Sequence, residues 1–412
     1  MADIKGFIKK QVLFFLPLYH SIIVRRLRKK KQINVLFFAM SLSMWRYQNI
    51  YELLSRHPKF KVFIVIQSSI TYSAEQQNED IGKLMSFFED KGMPFFLGQD
   101  NNGEAIDIRK LISPDILFYP QPYTKYYPEA LRYNRFYDKL LCYYPYAFWM
   151  SKGEWSYNQP LHKTAWKLLY PTNLHKKDAE TYSIRKGKNM EVVGYPTSDE
   201  FLADHFTDIW KPQEKQKKRV IWAPHFTIFS EEYVTQSNFI WMAEFMVDLC
   251  ERYSDKIQIV FKPHPRLLSE LCRHDDWGKE KAMAYYHKWE TMANSQIESG
   301  DFVDLFMTSD AMIHDSGSFC VEYHYSGNPV MYIAQDFEEQ VAEKNELGEK
   351  AMCCHYIGKT KEDVIDFIEN VVLHGSDPMK VERQNFRKEY LLPPNGKTVA
   401  ENTMDVLLKA FC

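Results

Sequence analysis

The sequence predicts an α/β protein of two doubly wound, Rossmann-like domains behind a basic, apolar N-terminal helix. Three observations predict it. Short β-branched runs alternate with helical stretches along most of the chain, the pattern of parallel sheets covered on both faces. A charged, weakly apolar stretch, 212–218, interrupts that alternation near the middle. At 412 residues, with 45% hydrophobic and 15% aromatic content, the chain can fill two large cores. The expected division is 1–31 as an N-terminal segment, 32–211 and 219–412 as the two domains, and 212–218 as their linker.

The chain opens on a largely apolar run, Gln11–Val24. Lys9-Lys10 precede it and Arg25-Arg26-Leu27-Arg28-Lys29-Lys30-Lys31 follow it. Fourteen residues are too few to cross a bilayer, which needs about 20. The basic run follows the apolar part and no small-residue cleavage site appears, which argues against a signal peptide. An interfacial helix fits, with its six cations each worth about 1 kcal/mol against anionic lipid. A core helix with a solvated charge run is the alternative.

In the first domain, strands are expected at Ile33–Phe38, Val62–Ile66, Pro94–Leu97, Asp115–Tyr119, Leu140–Tyr144, Lys167–Tyr170 and Glu191–Pro196. In the second they are expected at Arg219–His225, Lys256–Phe261, Ala311–Ile313 and Val330–Ile333. Helices are expected at Phe239–Tyr253, Lys279–Glu298, Phe319–Tyr325, Lys361–Val372, Glu382–Tyr390 and Ala400–Phe411. Facing sheet edges of two such domains would form a cleft.

Two strand ends carry the chemistry. The strand Lys256–Phe261 runs into Lys262-Pro263-His264-Pro265-Arg266. The prolines force a turn, so Lys262, His264 and Arg266 emerge at the carboxyl end of a strand, where open α/β sheets bind ligands. The second is Ile313-His314-Asp315-Ser316-Gly317-Ser318, read as strand, polar turn and helix start. Asp315, Ser316, Gly317 and Ser318 offer hydroxyls and backbone donors to a phosphate, and Glu322 sits in the first helical turn. His225, past Pro224, is expected on the same edge as His264 and is the candidate base. Together these groups suit a diphosphate. Each also has a plain structural reading: Asp315 as an N-cap, Glu322 as a helix-dipole partner, Lys262 and Arg266 as solvated charges. In the first domain, Tyr143–Tyr146 is a candidate lining for an acceptor groove, with core packing as its plain reading, and His162 and Lys163 are candidates to face the cleft.

Composition excludes other classes. The net charge of −2 argues against a general nucleic-acid binder. Seven cysteines without a C-x-x-C pair fit neither a disulfide frame nor a zinc site, and point to a reducing compartment. No P-loop, G-x-G-x-x-G, H-E-x-x-H or G-x-S-x-G occurs.

The order of short motifs resembles a known family. Val193-Gly194-Tyr195-Pro196-Thr197-Ser198-Asp199 is followed by Ile221-Trp222-Ala223-Pro224 and then by Lys262–Pro265. After these come Ile313–Ser318 with Glu322, Asn328-Pro329-Val330 and Asn395-Gly396-Lys397. Over about residues 190–410 this looks like the CDP-glycerol glycerophosphotransferase family of teichoic-acid primases and polymerases. The resemblance implies a GT-B-like architecture with the donor held by the second domain, and peripheral attachment at the cytoplasmic face of the membrane. It also implies a lipid-linked or glycan acceptor and transfer without metal or cofactor, the CDP-activated donor being the substrate. By position, His264 matches the family's donor-site histidine, Ser316–Ser318 its phosphate-facing turn, and Glu322 its acidic residue. The family's first domain carries a Trp-His-Gly element, absent here; Tyr143–Phe148 stands in the corresponding region. A nucleotide-sugar glycosyltransferase of the same fold is the alternative, as is a non-catalytic nucleotide binder.

Overall fold

The structure is a computed structural model that describes residues 2–100, 103–229, 237–300 and 302–412, with side chains from Phe15 onward. Gln11–Phe14 of the apolar N-terminal run therefore lie outside the described side chains. The chain forms two units, Met1–Asp199 with Pro393–Cys412, and Glu200–Leu392.

Unit 1 holds β1 (Ile33–Ala39), β2 (Phe60–Ile66), β3 (Phe96–Leu97), β4 (Ile116–Tyr119), β5 (Leu140–Tyr143), β6 (Lys167–Tyr170) and β7 (Met190–Val192). They form one sheet in the order β3-β2-β1-β4-β5-β6-β7, every pair parallel. The near-continuous apolar strands follow from coverage on both faces. Val35 and Phe37 enter one buried cluster, Leu36 and Phe38 the opposite one.

Unit 2 holds β8 (Lys218–Ala223), β9 (Ile257–Phe261), β10 (Ser295–Ile297), β11 (Ala311–His314), β12 (Val330–Ile333) and β13 (Tyr356–Gly358). Its parallel order is β10-β9-β8-β11-β12-β13. In chain order this is third-second-first-fourth-fifth-sixth, the doubly wound arrangement whose direction reverses between β8 and β11.

The division falls elsewhere than the expected 212–218 linker. The chain leaves unit 1 at Asp199, and 212–218 belongs to unit 2, where Trp210 Nε1 donates to Thr308 Oγ1 (3.0 Å) and Gln213 Nε2 to the Ala293 carbonyl (2.9 Å). The C-terminal helix Val399–Phe411 is in unit 1 rather than with the second domain. Its apolar face (Val399, Met404, Leu407, Phe411) completes the core over β1 and β4. Asp199 secures its start by accepting from the amides of Val399 (2.7 Å) and Ala400 (3.0 Å).

β10 and β13, absent from the expected set, are three-residue edge strands. The helix expected over Lys279–Glu298 spans Gly278–Thr291, because Met292 turns to extended backbone (φ −62°, ψ 142°) and leads into β10. The N-terminal helix Ala2–Arg28 buries Leu16, His20, Ile23 and Leu27 on unit 1, a spacing of three and four that keeps them on one side.

Candidate functional site

The site is built where the order of unit 2 reverses. Three loops leave that carboxyl edge: Pro224–Thr227 after β8, Lys262–Arg266 after β9 and Asp315–Ser318 after β11. Parallel pairing puts all three on one side of the sheet.

Asp315 joins the two loops that flank the reversal. One carboxylate oxygen accepts the His225 amide (2.6 Å) and the other accepts the amide of Asn238, before the helix Phe239–Arg252. Burial pushes its carboxyl up to about 6 against the pull of those amides. Asp315 therefore acts as a clamp on the backbone of the His225 loop, with both oxygens engaged.

The two histidine rings meet, their centroids 5.1 Å apart, with Phe226 4.4 Å from each. His264 Nδ1 accepts the Arg266 amide (3.1 Å), which assigns the ring proton to Nε2. Burial first, then the charges of His225 and Arg266, lowers His264 to about 3. It is a neutral ring offering an N–H donor. His225 is lowered to about 4, by burial first and then by Arg266 and Lys344, and its Nδ1 lies 2.9 Å from Thr227 Oγ1. It too is neutral at pH 7.

The expected cations are placed differently from one another. Arg266 lies over the Phe226 ring (4.1 Å) beside His264, and pairs with Glu270 (2.6 Å), which also holds Arg273 (2.8 Å). Lys262 is buried, and its Nζ donates to the Gly300 carbonyl (3.0 Å) in the loop after β10. That aims it at the far edge strand, not at the reversal between β8 and β11.

In the third loop the Ser316 amide donates to His314 Nδ1 (3.1 Å), and the Ser316 carbonyl accepts from Cys320 Sγ (3.3 Å). The backbone of Ser316 is thus used internally. Gly317 and Ser318 are half-buried. The helix they were expected to start is a single turn, Phe319–Glu322, continued as 3-10 backbone to Tyr325, and Ser318 makes no side-chain cap. One turn carries little of a helix dipole. Glu322, in that single turn, is buried, 2% exposed.

Below that turn, His314, Cys320 and His355 bring their ligating atoms within 4.8 Å of one another. The hydrogen bonds assign the protons. His314 accepts at Nδ1, so its Nε2–H points to His355 Nε2 (3.2 Å), and His355 Nδ1–H donates to the Ala351 carbonyl (2.8 Å). Neutral His314 then has no lone pair left for a cation. The chain of bonds is a strut under the Ser316 turn.

In unit 1, neither histidine near the aromatic region is presented outward. His162 Nε2 lies 3.1 Å from Tyr170 Oη, and its Nδ1 accepts the Gln159 amide (3.2 Å); burial lowers it to about 3. His175 is equally enclosed, against Thr172 and the Trp149 carbonyl. Tyr143 and Tyr144 are core. Asp80, which the sequence reading missed, is a buried carboxylate beyond the carboxyl end of β2, bonded to Ser68 Oγ (3.0 Å) and raised by burial. Nothing in its charged helical surroundings marks it out in the sequence.

Residues 156–408, more than half of the chain, match the family model described as CDP-glycerol:poly(glycerophosphate) glycerophosphotransferase. The chain belongs to this family. It is therefore a glycerophosphotransferase-type enzyme. No curated protein sequence matches it significantly.

Among solved structures, the wall teichoic acid polymerase TagF is similar at a TM-score of 0.60, 13% identity, and coverage of 99% of this chain and 96% of that one. A putative UDP-N-acetylglucosamine 2-epimerase from Listeria monocytogenes gives 0.59, 17% identity and coverage of 93% and 97%. The UDP-GlcNAc 2-epimerase from Neisseria meningitidis, bound to UDP-GlcNAc, gives 0.56, 12%, 92% and 100%. These likenesses establish a common GT-B-like α/β fold. The motifs around His264 and Asp315–Ser318 fall inside the family match.

Proposed function

We propose that unit 2 holds the diphosphate of CDP-glycerol between the Pro224–Thr227, Lys262–Arg266 and Asp315–Ser318 loops. An acceptor hydroxyl then displaces CMP from the β-phosphorus. The observation that carries this is the pairing of His225 with His264 over the point where the strand order reverses, with the Asp315 clamp beneath them. A TagF structure soaked with CDPG shares the fold and supports the choice of donor.

Each residue has a role that follows from its bonds. His264 donates from Nε2 to a phosphate oxygen. Arg266 supplies positive charge from its stacked position, and the Ser316 and Ser318 hydroxyls donate to the diphosphate. The new P–O bond forms on the β-phosphorus as the bond to the bridging oxygen breaks, and CMP takes that electron pair. His225, neutral, receives the acceptor's proton. Its low basicity is tolerable because phosphoryl transfer has a loose transition state that rests on positioning and charge more than on a strong base. Glu322 and Lys262 shape the site from behind it. No resident metal or cofactor is invoked.

The acceptor is a hydroxyl-bearing envelope glycan or lipid-linked polymer, met at an anionic membrane surface on the cytoplasmic side. On the N-terminal helix, Phe15, Leu18, Tyr19 and Ile22 are exposed along one stripe that leads to the exposed Arg25, Arg26 and Lys29. That is the layout of a helix lying in a headgroup layer. No helix among the described residues is long and apolar enough to cross a membrane.

A thermal-shift screen against CDP-glycerol, UDP-N-acetylglucosamine and GDP-mannose tests the donor. Stabilisation by CDP-glycerol is the expected result. Stabilisation by a UDP- or GDP-sugar alone would replace it with the glycosyltransferase reading.

A further inference from the structure

The cations that the sequence singles out for a diphosphate are already engaged by the protein. Lys262 donates to the Gly300 carbonyl, and Arg266 is paired with Glu270. A third cation near the same edge is placed differently. Lys344 is 6% exposed and follows the helix Phe337–Ala342, which leaves β12, the strand paired with β11. Among the described residues its ammonium makes no ion pair and donates no hydrogen bond. Its charge is felt by His225 and by the Cys320 thiol, one on each side of the Asp315 clamp.

The backbone around Lys344 is fixed. Its amide donates to the Val341 carbonyl (2.9 Å), and the next residue, Asn345, caps the helix Glu346–Met352 through the Gly348 amide (3.0 Å). Met352 in turn lies against Cys320, sulfur to sulfur 3.5 Å, so this segment is packed onto the helix that follows the Ser316 turn. The stem of Lys344 is buried while its charge has no ion pair among the described residues, so a bound anion would be its first counter-charge. Such a group within electrostatic reach of the neutral His225 ring is a ready anion site.

We propose that Lys344 is the cation that meets the donor's diphosphate on the β11–β12 side, opposite the His264 Nε2–H on the β9 side. This rests on the donor reading above and adds a residue to it. Lys344 pairs with the diphosphate oxygens as a point charge, while Arg266, shared with Glu270, contributes less.

The test uses the full chain with CDP, CMP and cytidine as probes, read by titration calorimetry, beside the ligand-free melting temperature. Lys344→Met keeps the stem and removes the charge. The expected result is at least a tenfold loss of CDP affinity (about 1.4 kcal/mol), a smaller loss for CMP and none for cytidine. The ligand-free melting temperature should stay equal, because the ammonium has no partner among the described residues to lose. Lys344→Arg should recover most of the CDP affinity. A loss for CDP smaller than tenfold, with the wild type binding CDP, overturns the Lys344 assignment and leaves the donor reading standing. A melting temperature lowered by Lys344→Met overturns it too, since the ammonium would then have a partner within the protein. A wild type that binds no CDP removes both readings at once.

Discussion

Replacing Asp315 with Asn separates the clamp from the charge it carries. Both carboxylate oxygens accept amides, from His225 and Asn238. Asparagine offers one acceptor oxygen and turns an NH2 toward the other amide, so one charge-assisted bond is lost, worth about 1.5–3 kcal/mol. Against this, the substitution removes a buried charge. The carboxyl is pushed from 3.8 up to about 6, and that interval corresponds to about 3 kcal/mol disfavouring the ionised form in the fold. The value near 6 already includes the pull of the amides. The lost bond therefore sets the bound, and Asp315→Asn should change neutral-pH stability by less than about 3 kcal/mol. The sign of the pH dependence follows from the raised value. The carboxyl favours the fold fully below about pH 4, and that contribution is lost as pH rises through about 6. Urea unfolding from pH 4 to 7 should show this decline in the wild type and its absence in Asp315→Asn. Transfer from CDP-glycerol should meanwhile fall by 100-fold or more, because the His225 loop loses its anchor. An Asp315→Asn protein with the wild-type pH slope, or with full transfer activity, would refute the clamp.

Three further outcomes are expected. His355→Ala leaves the buried His314 Nε2–H without its acceptor and should cost about 1–3 kcal/mol in urea unfolding; a chelator should not change the wild-type melting temperature, and a drop would mean that the His314–Cys320–His355 cluster holds an ion. Gly194→Ala should cost about 2–4 kcal/mol, because φ is +104° there and a Cβ would come within 2.7 Å of Val399 Cγ2 and 3.1 Å of Pro393 Cβ; an unchanged unfolding midpoint would contradict it. Leu18→Glu with Ile22→Glu lies on the exposed stripe of the first helix, so sedimentation with phosphatidylglycerol vesicles should be lost while the melting temperature is kept. Retained sedimentation would remove the membrane role of that stripe.

Much of the fold was legible because its signals are local. Pro263 and Pro265 end β9 wherever the rest of the chain goes, and the β-branched run before them has no better use than a covered parallel strand. The meeting of the three loops was inferable from strand alternation, since parallel strands share a carboxyl edge. The allegiance of Val399–Phe411 was not legible: its apolar face fits any core, and only the completed surface over β1 and β4 selects one. β10 and β13 are too short for a periodic signal.

At the site, His225 and His264 could be named but their neutrality could not, because it comes from burial. The Arg266–Glu270 pair is visible in the sequence only as an opposite charge four residues on. Lys344 left none. It sits in an ordinary charged stretch, and only its enclosure distinguishes it.

The most direct measurement is CMP release from CDP-glycerol in the presence of a glycerol-phosphate polymer acceptor, with the wild type and His264→Ala side by side. The wild type should release one CMP for each glycerol phosphate incorporated, and His264→Ala should be slower by 100-fold or more with its fold intact. Equal rates for the two proteins, or no CMP from either, would contradict a diphosphate held at this edge of the sheet.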